Sequence, residues 1–224
     1  MRRESSTVVV LVGEIADGLL SGLAQSANVS VTRAAEKKDT AAWEAGAQAL
    51  QAAAKLRSTY VVVADDPLAD VASSWQAMWD LSGGPGAAAD FERHASEALA
   101  AWRARRFELP DYYLVATKVT PEAPGPDLYL GPLRAVRARR VALAVTDPIG
   151  VSGIGSGGLI ASTSAASSSE AAGSGLGSTG DQVSRVVSSL RSLEAGPWWP
   201  PLDELIDAAR RFYPGTLTET QPGS

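Results

Sequence analysis

Between residues 149 and 182 the chain loses the means to build a core. These 34 residues hold nine Gly and nine Ser, no aromatic residue and two charges, Glu170 and Asp181. Such a segment cannot bury enough apolar surface to offset the entropy of ordering its backbone, so a flexible linker or a long disordered loop is expected there. The interruption divides the 224 residues into a body, 1–148, and a tail, 183–224. The body has the size of one domain, and the tail has room for about two short helices. At 45% apolar and 20% charged, the chain as a whole has a globular composition.

Within the body, residues 7–12 (TVVVLV) form a β-branched run without polar alternation, as a strand buried on both faces requires. Ile15, Leu19, Leu20 and Leu23 then recur at helical spacing, and residues 29–32 (VSVT) read as a second strand. Asp39 or Thr40 caps a helix to about Arg57 whose apolar stripe includes Trp43, Ala47 and Leu50, and residues 59–64 (TYVVVA) read as a third strand. Two further helices are expected over residues 68–81 and 87–107, the second with Asp90 as its cap, and two further strands over 112–119 and 140–146. The proline-marked stretch 128–133 (LYLGPL) suits an edge or a loop. Strands alternating with helices predict a mainly parallel sheet covered on both faces, a small open three-layer α/β sandwich. To this the chain adds the Gly/Ser-rich linker and a C-terminal helical tail.

The start of the chain, Arg2 and Arg3 followed by the apolar run to Val12, imitates a secretory signal. Glu14 and Asp17 interrupt that run before it reaches the roughly 7 to 15 apolar residues of a signal core. No charge-free apolar run approaches the length of about 18 residues that a spanning helix needs, so a soluble cytoplasmic protein without membrane contact is expected.

Composition removes several kinds of chemistry. With no Cys there is no disulfide, thiolate metal site or cysteine nucleophile, and with His94 as the one histidine no mechanism can use two imidazoles from a single chain. No G-x-S-x-G elbow accompanies His94, which reads as an ordinary residue of an amphipathic helix. The turn after the first strand, Gly13 to Gly18, matches neither a dinucleotide fingerprint nor a Walker loop.

In an open α/β sheet, ligands bind beyond the carboxyl ends of the strands. Glu14 and Asp17 follow the first strand, and Asp65 and Asp66, with Asp70 a turn later, follow the third. Oxygen-only clusters of this sort hold Mg²⁺ or Mn²⁺ for phosphoryl chemistry. The arrangement is similar, over two short loops, to that of the toprim domain, where a glutamate follows the first strand and an aspartate pair the third. Toprim domains carry a D-x-D pair, whereas here the aspartates are adjacent and Pro67 follows. The competing reading is structural: Asp65 or Asp66 caps the helix that starts near Leu68, and Glu14 caps the first helix.

The basic residues gather as well. Arg103, Arg105, Arg106, Arg134, Arg137, Arg139 and Arg140 make up seven of the twenty Lys and Arg, in a chain of net charge −5. They form a candidate patch for an anion or an acidic protein partner. The negative net charge and the scarcity of interleaved aromatics argue against nucleic acid.

In the tail, Leu202, Leu205, Ile206 and Phe212 line one face of a helix with acidic residues at its start and Arg210 and Arg211 at its end. An apolar face of this kind must cover either the body or a partner. Trp198 and Trp199, set between prolines, are the other candidate interface residues. The reading that joins these features is a non-catalytic adaptor, assembly or regulatory protein acting through protein contacts or self-association, including exchange of the tail in a homodimer, with no cofactor. The alternative is a Mg²⁺- or Mn²⁺-dependent enzyme acting on a phosphate-containing substrate through Glu14, Asp17, Asp65 and Asp66.

Overall fold

The computed structural model describes residues 6–13, 15, 18–34, 40–79, 86–117, 127–145, 179–194 and 201–212. Five apolar runs form one sheet: β1 (Thr7–Gly13), β2 (Val29–Thr32), β3 (Tyr60–Val63), β4 (Tyr112–Thr117) and β5 (Val141–Val145). Their order is β2-β3-β1-β4-β5 and every pairing is parallel, so the chain is an α/β sandwich. Val10 stands at the centre, level with Val63 on one side and Tyr113 on the other.

The helices are α1 (Leu19–Ala24), α2 (Ala42–Ala53), α3 (Ala69–Trp79), α4 (Ala87–Arg103), α5 (Arg134–Val136), α6 (Thr179–Arg191) and α7 (Leu202–Phe212). From β1 the chain crosses past β3 to β2, and every later crossover runs the opposite way along the sheet. Right-handed crossovers of opposite direction place their helices on opposite faces. Side chains sort accordingly. Val9, Leu11, Val62 and Leu114 pack with Leu19 and Leu23 of α1 and Val186 and Leu190 of α6. Val10, Val12, Val61, Val63, Tyr113 and Val115 pack beneath α2, α3, α4 and α7. Successive strand residues alternate between the two cores, which is why residues 7–12 carry no polar alternation.

The tail is therefore part of the sandwich: α6 completes one helical layer and α7 the other. Residues 179–182, expected as the end of the linker, are the first turn of α6, where Gln182 is buried. The rest of the linker, 149–178, lies outside the described residues. Tyr112 of β4 donates its hydroxyl hydrogen to the Glu194 carbonyl at 2.8 Å, tying the segment after α6 to the sheet.

Helix α2 ends at Ala53 rather than near Arg57, and two further elements differ from expectation for local reasons. The stretch 128–133 is neither strand nor loop but a buried π-helical turn, Tyr129–Leu133. Pro132 has no N–H to give to the Leu128 carbonyl, and the Leu133 N–H takes that acceptor at 3.0 Å, widening the turn by one residue. Asp127 caps this turn, its carboxylate accepting from the N–H groups of Tyr129 and Leu130 at 2.8 and 2.9 Å. Helix α4 stops at Arg103 rather than near residue 107, because Arg105 turns into the left-handed region at φ 56°. The Arg106 N–H then closes back on the Ala101 carbonyl at 2.9 Å, the bond of a Schellman stop. Asp90 lies inside the first turn of α4 and pairs with Arg93; Gly86 holds the cap position.

Candidate functional site

Strand β1 leads to a helix on one face, while its neighbours β3 and β4 lead to elements on the other, so the carboxyl end of β1 is flanked by two switch points. The backbone is tightly drawn there. Gly13 has φ +100°, and a Cβ on it would lie 2.2 Å from the Ala116 carbonyl oxygen, so only glycine fits. Of the four residues read as metal ligands, Glu14 and Asp17 lie outside the described residues. The other two, Asp65 and Asp66, follow β3.

Each described carboxylate in this region holds a backbone N–H. Asp65 accepts from Ala34, just beyond β2, at 2.6 Å. Asp66 accepts from Leu68 at 3.0 Å, in the manner of an N-cap at the entry to α3. Asp70 accepts from Ala42 at 2.9 Å, capping α2, whose own N-cap residue, Ala41, has no capping side chain. Asp65 and Asp70 thus bind the two ends of the β2–α2 connection to the segment after β3, and Asp66 closes the turn within that segment. This cap of α2 comes from another helix rather than from Thr40, and Asp39 lies outside the described residues.

Asp66 also has aromatic company that no sequence pattern announced. Tyr129 of the π turn donates its hydroxyl hydrogen to the second Asp66 oxygen. Tyr113 of β4 stacks on Tyr129 with ring centroids 5.0 Å apart, and its buried hydroxyl, without a well-formed hydrogen bond, lies close enough to act on the same carboxyl. Although Asp66 keeps some surface exposure, its carboxyl is set among protein atoms, and its pKa is raised from 3.8 to about 6, first by burial and to a lesser degree by the Asp70 charge, against the pull of the hydrogen bonds from Tyr129 and Leu68. Both tyrosines are pushed well above the usual phenol range, first by burial and then by the Asp66 charge.

The arginines meet different elements. Arg106 lies over the Trp43 ring of α2 at 5.7 Å, and Arg140 over the Tyr112 ring of β4 at 4.8 Å. Arg137 pairs with Glu204 of α7 at 2.7 Å. Arg103, Arg105, Arg134 and Arg139 are exposed.

The tail interface is the best-formed contact surface. Leu202, Leu205 and Ile206 are at most 2% exposed and share a core with Leu128, Tyr129, Leu130 and Leu133 and with Phe91 of α4. Arg210 adds a two-pronged pair to Glu92 of α4, at 2.7 and 3.0 Å. Phe212, expected on the same face, is 41% exposed. Trp198 and Trp199 lie outside the described residues.

Over the described residues, these features define an all-parallel three-layer α/β protein in which α7 packs against the π turn that carries Tyr129. No family model matches the chain, and neither the curated proteins nor the solved structures contain a match. Among the described residues, no helix is long and apolar enough to cross a membrane, and no group of three His, Asp or Glu is placed to hold a metal ion.

Proposed function

We propose that the chain is a non-catalytic cytoplasmic adaptor or regulatory protein, and that α7 is the element through which it engages a protein partner or a second copy of itself. The observation that carries this reading is the seat of α7. Its apolar face fills a groove made by the π turn, α5 and α4, while its rim is closed by exposed ion pairs, Arg137–Glu204 and Arg210–Glu92, of the kind that contribute about 0 to 1 kcal/mol each. A helix held by a greasy face and a weak rim, and following the docked α6 in the chain, can leave its groove and be replaced by an equivalent helix while α6 stays in place. The engagement of Asp65, Asp66 and Asp70 with backbone N–H groups supports a structural role for the acidic residues over a catalytic one.

The test uses the full chain carrying Leu205→Asp and Ile206→Asp, which undocks α7, and a fluorescent peptide of residues 201–212 read by anisotropy. Saturable binding to the folded variant, and much weaker binding to the unaltered chain, where the peptide must displace α7, is the expected outcome. A variant that keeps its far-ultraviolet circular dichroism and its cooperative melt, yet ignores the peptide, overturns the reading.

A further inference from the structure

We propose that Asp66, Tyr113 and Tyr129 form a proton-operated latch beneath the π turn, tightening the hold on the π turn and on α7 in acid and slackening it above neutrality. As regulation, the latch rests on the reading of α7 as a releasable arm; as a device, it rests on three side chains.

Three separate elements meet at the Asp66 carboxyl: the loop after β3, which carries it, β4 through Tyr113, and the π turn through Tyr129. The titratable groups that act on Asp66 are Tyr129 from the π turn, Tyr113 from β4 and Asp70 from α3, and none of the three is a cation. Asp127, which caps the π turn, adds its charge to the surroundings of Tyr129. Ionised, Asp66 is a buried anion held by neutral donors, with a like charge nearby. Protonated, it keeps an acceptor oxygen and gains an O–H, and the Tyr113 oxygen, 2% exposed by residue and otherwise unpartnered, is an acceptor within the cluster. The closed cluster therefore prefers the proton, and lifting the π turn, which lets water reach the carboxyl, relieves the anion.

Helix α7 feels this because Leu202, Leu205 and Ile206 pack in the same core as Tyr129. Lifting the π turn removes part of the α7 seat, so the two openings are linked.

The sign follows from the folded pKa of about 6 against 3.8 once the carboxyl meets water. A group whose pKa is raised in the closed state favours closure in acid and loses that contribution as pH rises through 6. For these two values the opening equilibrium grows about tenfold between pH 5 and pH 8.

The experiment is native-state amide exchange of the full chain from pH 5 to pH 8, corrected for the intrinsic pH dependence of exchange and read in residues 128–133 and 202–209. A tenfold rise in opening in both segments is expected in the unaltered chain, and a flat profile in Asp66→Asn. Tyr129→Phe removes a donor to the anion, so the midpoint moves to higher pH, a shift that loss of packing alone does not produce. A flat profile in the unaltered chain, or an unchanged slope in Asp66→Asn, overturns the latch, and a slope confined to 128–133 overturns its link to α7. Failure of the peptide to bind the undocked variant bears instead on the arm, since the slope in 128–133 does not depend on it.

Discussion

Replacing Ile206 by Ala removes three carbons from a side chain that is fully buried between α7 and the body. Truncations of this kind cost roughly 2 to 5 kcal/mol, the transfer of the lost carbons plus the cavity they leave. A central value of about 3 kcal/mol lowers the melting temperature of a chain this size by roughly 6 to 12 °C. Leu205→Ala, at 2% exposure, has a similar effect alone. The informative variant is the double one. Once α7 has left its groove, further truncation of its face has nothing left to weaken, so the combined loss saturates at the free energy of undocking. Urea unfolding followed by circular dichroism measures all three, with Phe212→Ala, at 41% exposure, as a control worth less than about 1 kcal/mol. Losses that simply add, to about 6 kcal/mol, refute a separable arm and make α7 an ordinary part of one cooperative core. A loss below about 0.5 kcal/mol for Ile206→Ala alone refutes the dock itself.

Other consequences are simpler to check. Asp70→Ala removes the cap that α3 lends to α2 and costs about 1 kcal/mol in the same urea assay, with Asp70→Asn milder because it keeps an acceptor oxygen. Gly46→Ala, which in an open helix would stabilise by about 1 kcal/mol, destabilises here by about 1 to 3 kcal/mol, because a Cβ would stand 2.4 Å from the backbone nitrogen of Pro67. The raised Asp66 pKa, about 6 against 3.8, makes its contribution to stability greatest in acid and loses up to about 3 kcal/mol as pH rises through 6, and Asp66→Asn flattens that part of the stability profile. Added Mg²⁺ or Mn²⁺ leaves the melting temperature unchanged; a rise of several degrees that disappears in Asp65→Ala would establish the metal-dependent alternative.

Much of the architecture was legible because it rests on local pattern. Residues 7–12 and 59–64 are apolar on both faces, which only a covered parallel sheet satisfies, and the i, i+3, i+4 spacing of Leu202, Leu205 and Ile206 marked the buried face of α7. What escaped was set by single backbone groups or by distant partners. The π turn follows from the missing N–H of Pro132, an effect that shifts one hydrogen bond and leaves hydrophobic periodicity unchanged. The early stop of α4 depends on Arg105 adopting a left-handed conformation that no glycine advertised. Asp66 was singled out for metal chemistry beside Glu14 and Asp17, but its partner Tyr129 lies 63 residues away and stood in a stretch read as edge or loop. Asp127, two residues before Tyr129, was the available sign that this stretch starts a capped turn.

The claim at the centre of this account is that α7 is docked on its own chain yet releasable. The chain has no cysteine, so Ser96→Cys on α4 and Arg211→Cys on α7, both exposed positions, give two unique sites for spin labels. Pulsed dipolar spectroscopy on that protein, diluted with unlabelled chain, reads the α4 to α7 distance within one molecule. A dominant short distance, with a long component that grows on adding the 201–212 peptide and on raising the pH above 6, is the predicted result. A single short distance indifferent to both contradicts it.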